Sequence, residues 1–128
     1  MLKAVHHIAI ICSDYEVSKK FYTETLGLAI IREVYREQRD SYKLDLSLNG
    51  HYIIELFSFP NPPKRPSQPE SCGLRHLAFV VENVEAEKER MEGLGVSVEI
   101  IRTDEFTGKK FTFIQDPDGL PIEFYESN

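Results

Sequence analysis

The chain of 128 residues has no tryptophan, only two cysteines and two methionines, and fewer basic than acidic side chains, 15 against 21. The resulting formal charge of −6 disfavours nucleic acid and anionic membrane as partners, because both demand a basic stripe that neutralises phosphates. Cys12 and Cys72 have no CxxC spacing, and a chain of this length buries a core without staples, so both are read as reduced thiols. No apolar run approaches the ~20 residues of a membrane span, and the N-terminus lacks the pattern of a secretory signal, which predicts a cytoplasmic location. The partner expected after these exclusions is a small molecule or a second copy of the chain.

What is there is 41% hydrophobic and 28% charged, the composition of one ordinary globular domain covering 1–128. Segment 5–12, VHHIAIIC, is apolar and β-branched and stops at Ser13-Asp14, which caps an amphipathic run from Tyr15 to Leu26 closed by Gly27. Extended segments follow at about 29–37, 42–48 and 52–59, the last two joined by Asn49-Gly50, a hairpin signal. Residues 60–73 hold five of the seven prolines and read as a linker. Beyond it the order repeats: strand 75–81, helix 84–93, then strands 96–101, 110–115 and 121–125, with a hairpin at Asp118-Gly119.

The repetition extends to individual residues. HIAIICSDYE at 7–16 lies over HLAFVVENVE at 76–85, LGL at 26–28 over LGV at 94–96, and Ile54-Glu55-Leu56-Phe57 over Ile122-Glu123-Phe124-Tyr125. The chain is thus two tandem βαβββ modules, about 4–59 and 74–126, of α+β class. Each carries one histidine on its first strand and one glutamate on its last. His7 to Glu55 spans 48 residues and His76 to Glu123 spans 47, the difference of one lying in the shorter second helix.

Strand alternation sets these four polar residues among apolar neighbours. Two carboxylates in such surroundings are costly unless paired, protonated or coordinated. Two imidazoles and two carboxylates make an N2O2 set suited to Zn, Ni, Co, Mn or Fe(II) with positions left for water or substrate. A metal-free, hydrogen-bonded quartet is the other reading. By the same alternation His7 faces the site, whereas His6 and its counterpart Arg75 point to the opposite side, and His51 stands exposed at a hairpin tip.

HHIAIICSD, FYTETLGL, YIIELFSF, GLRHLAFVVENV and FIQDPDGLPIEFYE together resemble the vicinal oxygen chelate superfamily, and within it the glyoxalase I-like proteins. The resemblance covers nearly the whole chain, and the DPDG hairpin followed by IEF is its most specific part. It implies a glyoxalase/bleomycin-resistance-like fold of cupped mixed sheets around a divalent metal, Zn or Ni first, held by His7, Glu55, His76 and Glu123. It also implies a lyase or isomerase acting on a small oxygenated substrate, such as a 2-oxoaldehyde hemithioacetal formed with a thiol, through an enediolate. Glu123 is then the base and Glu55 its counterpart ligand. A homodimer is implied too, with modules paired within one chain or across two.

Glutathione-dependent glyoxalases carry an arginine and an asparagine where this chain has Ile11 and Phe59, so this wall of the substrate pocket reads as apolar. Arg36, Arg39 and Lys43 in YREQRDSYK are candidates to receive an anionic substrate, and Lys109 or Lys110 to clamp a carboxylate or phosphate from a loop. A metal-free small-molecule binding module and a dioxygenase of the same superfamily are the alternative functions.

Overall fold

The computed structural model describes residues 1–128 and divides into two compact units, Met1–Lys64 and Arg65–Asn128. In the first, strand β1 (Ile8–Cys12) leads through helix α1 (Tyr15–Lys20) and a π-helical turn (Phe21–Thr25) to β2 (Ala29–Arg36). A 3-10 turn (Glu37–Arg39), β3 (Ser41–Leu48) and β4 (His51–Ser58) complete it. In the second, β5 (Leu77–Val81), α2 (Val84–Gly93), β6 (Arg102–Thr103), β7 (Lys110–Gln115) and β8 (Pro121–Glu126) follow the same plan.

Each unit forms a four-stranded mixed sheet, in the orders β1-β4-β3-β2 and β5-β8-β7-β6. The helix carries the chain from the first strand to the far edge, and the meander that follows brings the last strand back beside the first. That return makes β1 and β4, and likewise β5 and β8, parallel neighbours, while all other pairs are antiparallel. These features are the glyoxalase/bleomycin-resistance architecture of two βαβββ modules expected from the repeat.

The local signals act as their chemistry dictates. Asp14 Oδ1 accepts the Val17 N–H at 3.2 Å, and Asn83 Oδ1 accepts the Ala86 N–H at 2.8 Å, each satisfying a donor in the first turn of its helix. The first helical run widens after Lys20, where the Leu26 N–H donates to the Phe21 carbonyl at 2.9 Å. It ends at Gly27, whose φ of +80° suits a residue without Cβ. Asn49 and Gly50 both have positive φ, +50° and +82°, as the tight primed hairpin turn requires.

The helix-side face of the first sheet is a core of Ile10, Leu44, Leu46, Ile54 and Leu56, covered by Tyr15, Phe21 and Tyr22. Tyr15 donates its hydroxyl to Glu33 Oε2, and Lys19 Nζ reaches the same oxygen at 2.8 Å, which ties α1 to β2. β2 is the outer edge strand and carries a register shift between Ile30 and Arg32. In the second unit Met91, Ile114, Ile122 and Phe124 form the buried layer.

Two expectations are corrected. β1 starts at Ile8, not Val5, so both histidines precede the ladder. Segment 96–101 is not a strand: the Glu99 N–H bonds Phe113 O at 3.0 Å, but the carbonyls of Val98 and Glu99 accept from Lys88 Nζ at 3.3 Å each and that of Glu99 from Thr112 Oγ1 at 2.7 Å. Side-chain donors thereby take acceptors that a ladder would use, and only Arg102–Thr103 pairs as a short strand. Residues 59–76 contain neither helix nor strand.

Truncating the fully buried Leu56 to alanine is expected to lower unfolding free energy by about 2–5 kcal/mol, read as a lower urea midpoint at unchanged slope. Glu33 offers a pH test. Bonds from Lys19 and Tyr15 hold its carboxyl below the ordinary glutamate range, so its stabilising contribution is complete above ~4.3, the unfolded value, and is lost as pH falls through the lower folded value. The stability gap between the native protein and Glu33→Gln therefore closes on acidification in urea titrations.

Candidate functional site

With Ile54 and Leu56 turned toward the helix side, Glu55 must face the open side of its sheet. The parallel register sets Ala9 opposite Glu55, and His7, just before the strand begins, reaches it: His7 Nε2 lies 3.6 Å from Glu55 Oε1. In the second unit Ala78 stands opposite Glu123, and His76 Nε2 lies 3.7 Å from Glu123 Oε1. The side chains are part-exposed, 33% and 16% in the first pair and 30% and 14% in the second.

The spacing of each pair suits two ligands of one cation. Bond lengths of ~2.1 Å place two such donors ~3.0 to 4.2 Å apart for angles from 90° to 180°, which brackets both pairs, and imidazole with carboxylate is the donor chemistry of borderline divalent metals. Within each module convergence stops at two donors, since no group of three or more His, Cys, Asp or Glu side chains gathers as a cage.

The surroundings of the two pairs differ. Beside Glu55, Asp45 is fully buried and accepts from Lys43 at 2.7 Å, Tyr52 at 2.8 Å and Arg32 at 3.0 Å. Burial opposes its ionisation, but these three donors outweigh burial and hold the carboxyl below the ordinary aspartate range. Lys43 Nζ also lies 3.2 Å from Glu55 Oε2, and the Tyr52 hydroxyl lies 3.2 Å from that same oxygen. The bond to Asp45 foremost, opposed by desolvation and aided by Glu55, raises the Lys43 ammonium above the usual lysine range. Glu55 is thus held by one oxygen and offers the other toward His7.

The sequence alone does not single out Asp45 or Tyr52, and it offers Lys43 as an anion receptor. The signal that marks the first and last was the alternation in SYKLDLSL: Lys43 and Asp45 share a face of a central strand whose other face is Leu44 and Leu46.

Around Glu123 two phenylalanine rings stand among polar and charged side chains. The His76 ring stands edge-on to Phe113 with centroids 5.2 Å apart, and the Arg102 guanidinium lies over Phe111 and Phe113 at 5.0 and 5.8 Å. Glu123 has His76 as its one ion-pair or hydrogen-bond partner. These residues line a cavity of about 520 Å³. Arg65 donates to the carbonyls of Leu74 and Arg75 at 2.6 and 3.0 Å, pinning the peptide that leads into His76.

Other expected positions fall as follows. Ile11 is 56% exposed and paired with Phe57 in the ladder; Phe59 stacks on Phe57 at 5.9 Å. The wall they form is not purely apolar, because Arg36 and Arg39 sit over these rings. Lys109 Nζ reaches Ser127 O at 3.4 Å, and Lys110 pairs with Glu85. Arg75 lines the cavity beside His76 while pairing with Glu70 at 2.6 Å. His6 does not point away: its Nδ1 lies 2.8 Å from His7 Nδ1 and both rings pack near Tyr52, because strand alternation does not yet bind residues before Ile8. Cys12 is buried and Cys72 exposed, both free thiols.

Two βαβββ modules, each setting a histidine just before its first strand beside a glutamate on its last, define a class of duplicated α+β proteins. The chain belongs to the Glyoxalase/Bleomycin resistance protein/Dioxygenase superfamily, whose family model matches residues 4–124. It is 62% identical over 125 residues to the uncharacterized protein YaeR of Escherichia coli (strain K12), covering 98% of this chain and 97% of that one. A glyoxalase family protein from Enterococcus faecalis superposes with a TM-score of 0.90 at 47% identity, over 97% and 98% of the two chains. The trypanothione-dependent glyoxalase I of Leishmania major does so with a TM-score of 0.75 at 25% identity, over 98% and 87%.

Replacing Asp45 by alanine strips Lys43 of its nearest partner. The expected loss of stability is about 2 kcal/mol, short of the ~3–5 kcal/mol for a wholly buried pair, because Lys43 and Arg32 keep contact with water. Urea unfolding of Asp45→Ala against the native chain checks it.

Proposed function

We propose that the protein is a metal-dependent lyase or isomerase of the glyoxalase type, with His7, Glu55, His76 and Glu123 as the ligands of one divalent ion, Zn or Ni first. The observation that carries this is the twofold recurrence of a His–Glu pair at 3.6 and 3.7 Å in equivalent register. Members of the superfamily commonly use a metal ion, and they bind small molecules and often form dimers. A cytoplasmic homodimer in which the pairs come from one chain or from two is consistent with this reading, and no helix here is long and apolar enough to cross a membrane.

When bound, the cation would act as a Lewis acid toward negative charge developing on the substrate's adjacent oxygens. The chain's own residues divide the remaining work. Glu123, free of any cationic side chain that would hold it, takes the proton from the carbon bearing the sulfur and oxygen of a hemithioacetal and returns one to the neighbouring carbon. Glu55, with one oxygen held by Lys43 and Tyr52, serves as a ligand through the other.

The test is isomerisation of methylglyoxal hemithioacetals, made with glutathione and with other thiols, by protein loaded with Ni or Zn, together with elemental analysis. His7→Ala is expected to lose bound metal where His6→Ala retains it, and Glu123→Gln to lower kcat about 10²–10⁴-fold. No turnover with any metal and thiol would overturn the assignment. Absent metal uptake, with ligand affinity unchanged in His7→Ala, would favour a binding module.

A further inference from the structure

The open face of the first sheet continues past Glu55 to a second feature. Phe57 and Phe59 follow Glu55 at the alternate positions of β4 and just beyond it, and their rings stack with an interplanar angle of 15°. The Arg36 guanidinium lies 4.8 Å from the Phe57 centroid and 5.6 Å from that of Phe59, and Arg39 lies 5.4 Å from Phe59. Resting on that reading of Glu55 as part of an active centre, we propose that Arg36 and Arg39 bind an oxyanion carried by the substrate, about 10 Å along β4 from Glu55 at ~3.3 Å per residue.

The disposition of the arginines carries this. The chain has seven. Arg32, Arg75, Arg90 and Arg102 each pair with a carboxylate, and Arg65 is spent on two carbonyls. Arg36 and Arg39 meet no carboxylate, although acidic residues outnumber basic ones and Glu37 and Asp40 are sequence neighbours. Arg36 makes one hydrogen bond, from Nη2 to Ser41 Oγ at 2.8 Å, and its Nε is buried with no partner, a rare state for a donor in a folded protein. Two guanidiniums lying on aromatic rings, with no carboxylate partner and most of their donors unspent, suit a carboxylate or phosphate.

The feature belongs to the first module alone. At the positions equivalent to Phe57 and Lys43 the second module has Tyr125 and Phe111, and the arginine over its rings, Arg102, is already paired with Glu99. Ile11 and Phe59 stand where glutathione-dependent glyoxalases carry an arginine and an asparagine, and the cations beside this wall are Arg36 and Arg39 of the β2–β3 turn. The substrate class that follows is a compact thiol adduct with an anionic tail.

Binding to the metal-free chain tests this without any turnover, so failure of the glyoxalase reading leaves it readable. The probes are 3-(methylthio)propionate and its neutral twin 3-(methylthio)propan-1-ol, compared by calorimetry. The expected result is a preference of about tenfold or more for the anion that disappears in Arg36→Gln/Arg39→Gln and falls in Arg39→Gln, whose exposed side chain makes misfolding no explanation. Stronger competition by inorganic phosphate than by acetate assigns the tail as phosphate, and the converse as carboxylate. Equal affinity for the two probes, or a preference unchanged in the variants, overturns the proposal.

Discussion

Everything at the site hangs on the parallel pairing of the first and last strands of each module. With Ala9 opposite Glu55 and Ala78 opposite Glu123, a histidine placed two residues before the alanine falls beside the glutamate without any special loop. A slip of one residue would turn Glu55 into the layer now filled by Ile54 and Leu56 and expose those chains instead. Burying an unpartnered carboxylate costs several kcal/mol and exposing two large aliphatic chains costs more on top. The apolar core thus sets the geometry of the polar face.

Duplication has kept the pairs and changed what stands behind them. Glu55 leans on Lys43, Tyr52 and, through them, on the buried Asp45; Glu123 leans on His76, whose ring stands edge-on to Phe113. A carboxylate held at one oxygen by a fixed ammonium and a hydroxyl is braced in place. One without such a hold keeps its freedom to move between two neighbouring carbons. The asymmetry is the physical ground for assigning unequal roles to groups at nearly equal distances from their histidines.

The modules, their hairpins and the spacing of the four candidate residues were legible because each signal appears twice, and a coincidence at position 7 is unpersuasive only until position 76 repeats it. What was not legible depended on contacts between distant segments. Strand 96–101 looked sound by composition, yet Lys88 on α2 and Thr112 on β7 claim its carbonyls. Alternation misplaces His6 because that residue lies two positions before the ladder begins at Ile8. Asp45 was passed over because a lone acid between leucines gives no hint of Arg32 and Tyr52, thirteen residues before it and seven after.

The irregular outer strand of the first sheet has a consequence of a different kind. β2 leaves one row of peptide groups without a ladder partner and shows Ile30, Ile31, Val34 and Tyr35 at the surface, the makings of a template for runaway stacking of chains. The shift between Ile30 and Arg32 breaks the flat run, and Arg32, Glu33 and Arg36 set charges along what remains. A foreign strand arriving at that edge meets a kink and three ions, which oppose its pairing along the apolar rim.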